Sequence, residues 1–247
     1  MSDFLTTPQG RRIAYEMTDG QGPAVMFLGG FMSDMTGTKA LALHDWARAE
    51  GRAFLRFDYS GHGASEGAFV DGCIGDWAAD ARAALGLLAG KVVLVGSSMG
   101  GWISLLLARE MPERVAGLVT IAAAPDFMED GFWAEFDDAQ RMQLMRDGQV
   151  MVPSEYDDPY PVTRRMIEDG RQNMVLRSPL PLPFPVRMLQ GTADADVSRE
   201  TALRLLDHAE GPDIRLTLAK GADHRFSTPA CLDLITASLR EVLARPA

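Results

Sequence analysis

The chain has 247 residues, 47% of them apolar, which suits one large α/β domain with a substantial buried core. Its 24 Lys and Arg are outnumbered by 34 Asp and Glu, and the formal charge of -10 repels polyphosphate backbones and anionic lipid surfaces, so nucleic acid is not an expected partner. Cys73 and Cys231 stand far apart without metal-ligand spacing, which argues against a disulfide framework or a zinc site. The start, MSDFLTTPQG, lacks a basic region followed by an apolar stretch, and no apolar run approaches the roughly 20 residues that span a bilayer. The expectation is a cytoplasmic protein, monomer or homodimer, with no membrane span.

In chain order, RRIAYEMTDG reads as an antiparallel edge strand, and AVMFL (24–28) and AFLRF (53–57) as parallel strands. KVVLV (91–95), AGLVTIA (116–122), VRMLQ (186–190) and IRLTLA (214–219) complete six runs that predict a mainly parallel twisted sheet. Helical periodicity over 38–50, 71–88, 99–110, 199–209 and 228–244 supplies crossovers flanking that sheet.

The segment 125–185 breaks this rhythm. It is too long for a strand connection, carries two or three helical stretches and ends in PLPLPFP. The expected organisation is a core of 1–124 and 186–247, with a helical cap at 125–185 inserted after the sixth strand. Phe127, Met128, Phe132, Trp133, Phe136, Met142, Met145 and Met151 fall within it and suggest the lining of an acyl pocket; packing of the cap onto the core explains each of them equally well.

Two pentapeptides match G-x-S-x-G: Gly96-Ser97-Ser98-Met99-Gly100 and Gly63-Ala64-Ser65-Glu66-Gly67. A nucleophilic serine needs a sharp strand-to-helix turn that raises its hydroxyl above the sheet and leaves room for close backbone passage. Ser98 lies between the run KVVLV and the helical MGGWISLLLARE, whereas Ser65 sits in a polar, glycine-studded loop and reads as a chance match. Among four histidines, His44 and His208 are explained by helix positions and His62 by a glycine-rich turn. His224, in AKGADHRFS after the last strand, is the expected base. Asp194 follows the strand VRMLQ and is the expected orienting acid; Asp196, whose other role would be helix capping, stays open as its competitor. The oxyanion donors should be the N–H groups of Met99 and Phe31, with Gly30 beside them. Ser33, Asp34 and Lys39 either hold a polar substrate end or serve as caps and a solvated first turn.

Through LGGF, FDYSGHGAS, GSSMGG, GTADADV and GADH, in that order, the chain resembles the α/β-hydrolase superfamily. Within it, GGFMSDMTGTKALAL, RFDYSGHGASEG and VGSSMGGW resemble the subfamily of mitochondrial palmitoyl-protein thioesterases, also called mycophenolic acid acyl-glucuronide esterases, and their bacterial relatives. The resemblance implies Ser98, Asp194 and His224 as catalytic residues, Phe31 and Met99 as oxyanion donors, and no cofactor or metal. One departure is Gly29-Gly30, where the superfamily commonly has His-Gly. The expected substrate is a small-molecule ester or thioester with an apolar acyl group, bound among Gly30, Phe127, Phe132 and Trp133. The same triad would also serve a carbon-carbon bond hydrolase, and the same scaffold a ligand-binding receptor.

Overall fold

The computed structural model describes residues 2–153 and 159–245. In the first half of the chain, β1 (Asp3–Thr6), β2 (Arg12–Thr18) and β3 (Gln21–Leu28) lead into α1 (Thr38–Ala49) and β4 (Arg52–Phe57), followed by α2 (Ile74–Leu85), β5 (Val92–Ser97), α3 (Met99–Glu110) and β6 (Val115–Ile121). A π-helical turn at Met128–Trp133, α4 (Asp138–Asp147), β7 (Gln149–Val152), β8 (Tyr160–Thr163), α5 (Arg164–Gln172) and β9 (Leu180–Pro181) make up the inserted segment. The chain closes with β10 (Val186–Gly191), α6 (Arg199–His208), β11 (Ala209–Glu210), β12 (Ile214–Ala219) and α7 (Pro229–Leu243).

The eight-stranded sheet has the order β1-β2-β4-β3-β5-β6-β10-β12. All pairings from β4 to β12 are parallel, while β1–β2 and β2–β4 are antiparallel. The six expected parallel strands are all present. RRIAYEMTDG does not form the edge, because β1 pairs outside it with Asp3 opposite Tyr15.

Alternation along the buried strands sorts their side chains onto two faces. Met26, Leu28 and Leu94 pack with α2 and α3, while Val25, Phe27, Val93 and Val95 pack with α1 and α7. Continuous apolar runs therefore mark strands covered on both faces, and the carboxyl ends of β3, β5, β10 and β12 emerge together at the site.

The insertion is not purely helical. β7 and β8 form an antiparallel hairpin, with Gln149 opposite Thr163. Its α5 docks on the core: Asp169 accepts from the Gly75 N–H at 2.7 Å, Trp102 Nε1 donates to Asn173 O at 3.0 Å, and Arg109 donates to Met174 O at 3.0 Å. Met128 and Phe136 are buried packing residues, while Met142, Met145 and Met151 are exposed, which removes all five from an acyl lining.

Candidate active site

Ser98 occupies the single residue between β5 and α3, at φ 53° and ψ -117°. Such a conformation costs an L-residue about 1–3 kcal/mol and persists only where neighbours over-determine it. They do so here. The Ser98 N–H donates to Ile121 O at 2.9 Å, and its carbonyl accepts from Gly101 N at 2.9 Å and Ala124 N at 3.2 Å. A Cβ on Gly100 would lie 2.1 Å from Leu28 O, so the crossing of this turn over β3 admits only glycine. A serine before a helix ordinarily caps it, yet Ser98 makes no side-chain cap. Its Oγ instead lies 3.1 Å from His224 Nε2.

On the far side of the imidazole, Nδ1 is 2.9 and 3.1 Å from the two carboxylate oxygens of Asp194. Asp194 also accepts from Gln190 Nε2 at 2.9 Å, Asp196 N at 2.9 Å and Val197 N at 2.8 Å. Burial works against its charge, but the hydrogen bond and charge of His224, with the Val197 and Gln190 donors, outweigh it and hold the carboxyl below its ordinary pKa. Helix α6 is capped by Ser198, whose Oγ accepts from Thr201 N at 3.1 Å, so Asp196 is not needed for that role.

The other candidate residues have structural duties. Ser65 Oγ donates to Asp58 O at 2.7 Å and accepts from Ala14 N at 2.8 Å. His44 accepts from Arg56 Nε at 3.3 Å, and His208 Nε2 lies 2.8 Å from Ser178 O. His62 is buried edge-on against Tyr59, Phe69 and Trp77, and that burial lowers its pKa.

The loop 29–37 passes beside Ser98, with a Cβ on Gly30 falling 3.4 Å from Ser98 Cβ. Its curl is fixed by Ser33, whose N–H and Oγ both donate to Gly30 O, at 3.2 and 2.9 Å. Asp58 accepts from Met35 N at 2.6 Å and Ala64 N at 2.8 Å, while buried Arg56 donates to Met35 O and to Glu16. Burial raises the Asp58 pKa despite the Ala64 and Met35 donors and the Arg56 charge. Asp58 and Arg56 thus support a loop that lacks the superfamily's usual histidine. The sequence signal was the arginine within the otherwise apolar AFLRF.

A cleft of about 490 Å³ contains Ser98 and His224 and is walled by Gly30, Phe31, Phe127 and Phe132. Tyr160, Val152 and Pro153 also line it, none of which the sequence singled out. The Phe31 ring is a hub, 4.9 Å from Phe69, 5.7 Å from Phe127, 5.8 Å from Phe132, 5.7 Å from Tyr160 and 6.0 Å from Trp77. Trp133 is corrected: it is not among the lining residues, and its ring lies against the Arg171 and Arg141 guanidiniums at 4.6 and 5.3 Å. Those cation–π contacts occupy the face of a ring that is half-buried against the core.

Asp194, Asp196 and His224 each bring a possible metal-ligand atom within 4.8 Å of the others. Both ring nitrogens of His224 already have partners in Ser98 and Asp194, an arrangement suited to proton transfer.

A model of the alpha/beta hydrolase family matches residues 25–232, across the sheet, the serine turn and the histidine loop alike. The chain belongs to the alpha/beta hydrolase family. This alpha/beta hydrolase is similar to the mitochondrial palmitoyl-protein thioesterase ABHD10 of Rattus norvegicus, with 33% identity over 97% of this chain and 82% of the relative. Among solved structures it superposes on a protein of Agrobacterium vitis S4, provisionally named a hydrolase, with TM-score 0.95 and 42% identity over 98% of each chain. Mouse alpha/beta hydrolase domain-containing protein 10 gives TM-score 0.91 and 30% identity, again over 98% of each chain.

Proposed function

We propose that this hydrolase cleaves carboxylic esters or thioesters of small to medium apolar acyl groups through an acyl-enzyme on Ser98. The observation that carries the reading is the unbroken line Ser98 Oγ, His224 Nε2, His224 Nδ1, Asp194 carboxylate, with separations of 3.1 and 2.9 Å. His224 takes the hydroxyl proton as Ser98 attacks the acyl carbon, and the resulting oxyanion rests on the Met99 and Phe31 N–H groups at the start of α3 and in the loop 29–37. Returning the proton to the alcohol or thiol expels it. Water, activated by the same imidazole, then releases the acid. Asp194 holds the imidazole tautomer and stabilises the imidazolium without taking the proton.

The segment 125–185 serves as the cap, and Phe127 and Phe132 bring apolar surface to the acyl side of the cleft. The thioesterase name of the rat relative supports a thioester among the substrates. No cofactor is needed for this chemistry. No helix among the described residues is long and apolar enough to cross a membrane, and both cysteines are buried and free.

The test treats wild type and Ser98→Ala with a fluorophosphonate, then follows p-nitrophenyl esters of increasing acyl length beside acyl-thioester analogues. Labelling and turnover confined to wild type support the reading. Turnover by Ser98→Ala overturns the nucleophile, and a labelled wild type that hydrolyses vinylogous diketones but no ester replaces it with carbon-carbon bond cleavage. Absence of labelling and turnover in both proteins points to a receptor.

A further inference from the structure

We infer that Lys39 is a positioning residue that ties the oxyanion-loop segment to the histidine loop and so holds the two halves of the acylation machinery in register. The inference rests on the triad reading above. Lys39 is the second residue of α1, directly after the loop 29–37, and its Nζ donates to the backbone carbonyl of Arg225, the neighbour of His224. These residues are 186 positions apart, so the contact joins two separate chain segments on one cleft.

The histidine loop is shaped to present that carbonyl. Phe226 is fully buried at φ 49°, and its N–H donates to Asp223 Oδ1 at 3.1 Å, fixing a tight turn around Arg225. Ser227 Oγ donates to the same Arg225 carbonyl at 2.8 Å. On the other side, Ala222 O accepts from Ala193 N at 3.0 Å, tying the loop to the segment that carries Asp194. The Lys39 contact is thus the link from this assembly to the segment that follows the oxyanion loop.

Position makes the lysine unusual. The first turn of a helix favours anions, and α1 has neither an acidic residue in that turn nor a side-chain cap, so a cation there is unfavourable unless something specific holds it. No ion pair within 4 Å is formed by Lys39 among the described residues. Burial lowers its pKa to about 8, opposed by Asp223, assisted by Arg225, and opposed more weakly by Cys231 of α7 and by Asp194. His224, Asp34 and Asp196 share the cleft wall with it. A charged donor makes a stronger hydrogen bond than a neutral one. The tie is therefore complete only well below pH 8 and weakens as the pH rises through about 8 and Lys39 loses its proton.

The experiment compares wild type, Lys39→Met and Lys39→Arg by fluorophosphonate labelling rate and by kcat and KM for a p-nitrophenyl ester from pH 6 to 10, with thermal melts as a check on folding. Misplacing a reacting group by about 1 Å costs on the order of a hundredfold in rate, so Lys39→Met should lower kcat by about tenfold to a hundredfold with KM little changed. Wild type should lose activity as pH rises through about 8. That loss should be absent from Lys39→Met, already low throughout, and move to higher pH in Lys39→Arg, whose guanidinium stays charged. A folded Lys39→Met with wild-type kcat and labelling rate overturns the inference while leaving the triad standing, as does a change confined to KM. If Lys39→Met does not fold, Lys39→Arg decides: an alkaline loss at the wild-type position overturns the tie. If wild type itself fails to label, the triad reading falls and the inference falls with it.

Discussion

The turns at the ends of β5, β10 and β12 hold their side chains through buried backbone contacts, whereas the insertion at 125–185, which joins the buried core through Met128, Phe136 and Met166, also carries a set of guanidinium–carboxylate pairs near its surface. Ser98 keeps a positive φ because Ile121, Gly101 and Ala124 grip its peptide groups, and Asp194 is packed among four donors. By contrast, Arg165 reaches Asp76, Arg171 reaches Glu129, and Arg177 and Arg204 converge on Asp130. Buried hydrogen bonds fix geometry, while exposed pairs contribute roughly 0–1 kcal/mol each and tolerate exchange.

The sharpest break of this contrast is on the core side. Asp194→Asn keeps the packing but favours the wrong imidazole tautomer, and steady-state kinetics should show kcat lower by about 10⁴-fold with the thermal melt little changed. On the insertion side, Phe132→Ala should leave fluorophosphonate labelling intact and shift the optimum toward longer acyl chains, with discrimination altered by about tenfold in kcat/KM across the ester series. Smallest of all, Arg204→Ala removes one of two arginines on Asp130 and should cost less than about 1 kcal/mol in urea unfolding, a difference that added salt erases. A large activity loss in Arg204→Ala would show that the mooring of the insertion reaches the reacting groups after all.

Core elements were legible because strands buried on both faces must be apolar throughout, and KVVLV or AGLVTIA has no other economical reading. The serine turn was legible because its glycines answer a local steric demand. Less could be read of the insertion. The four-residue strands QVMV and YPVT are too short for periodicity to register, and β1 is specified only by its pairing with β2. Composition could not tell cleft-lining from other aromatics: Phe132 lines the cleft, while Trp133, next to it, faces two arginines. Lys39 was legible only as a substrate contact or a solvated first-turn residue, since its partner is a backbone carbonyl from the other end of the chain.

The ring of Phe31 touches two aromatics of the core and three of the insertion, while its own peptide lies in the loop beside Ser98. A chimera that grafts another relative's insertion at its two chain ends would therefore carry a hidden third junction. Unless the graft brings rings matched to Phe127, Phe132 and Tyr160, the loop beneath it loses three of the five rings around Phe31, and a change meant only for substrate range becomes a change in the loop beside Ser98.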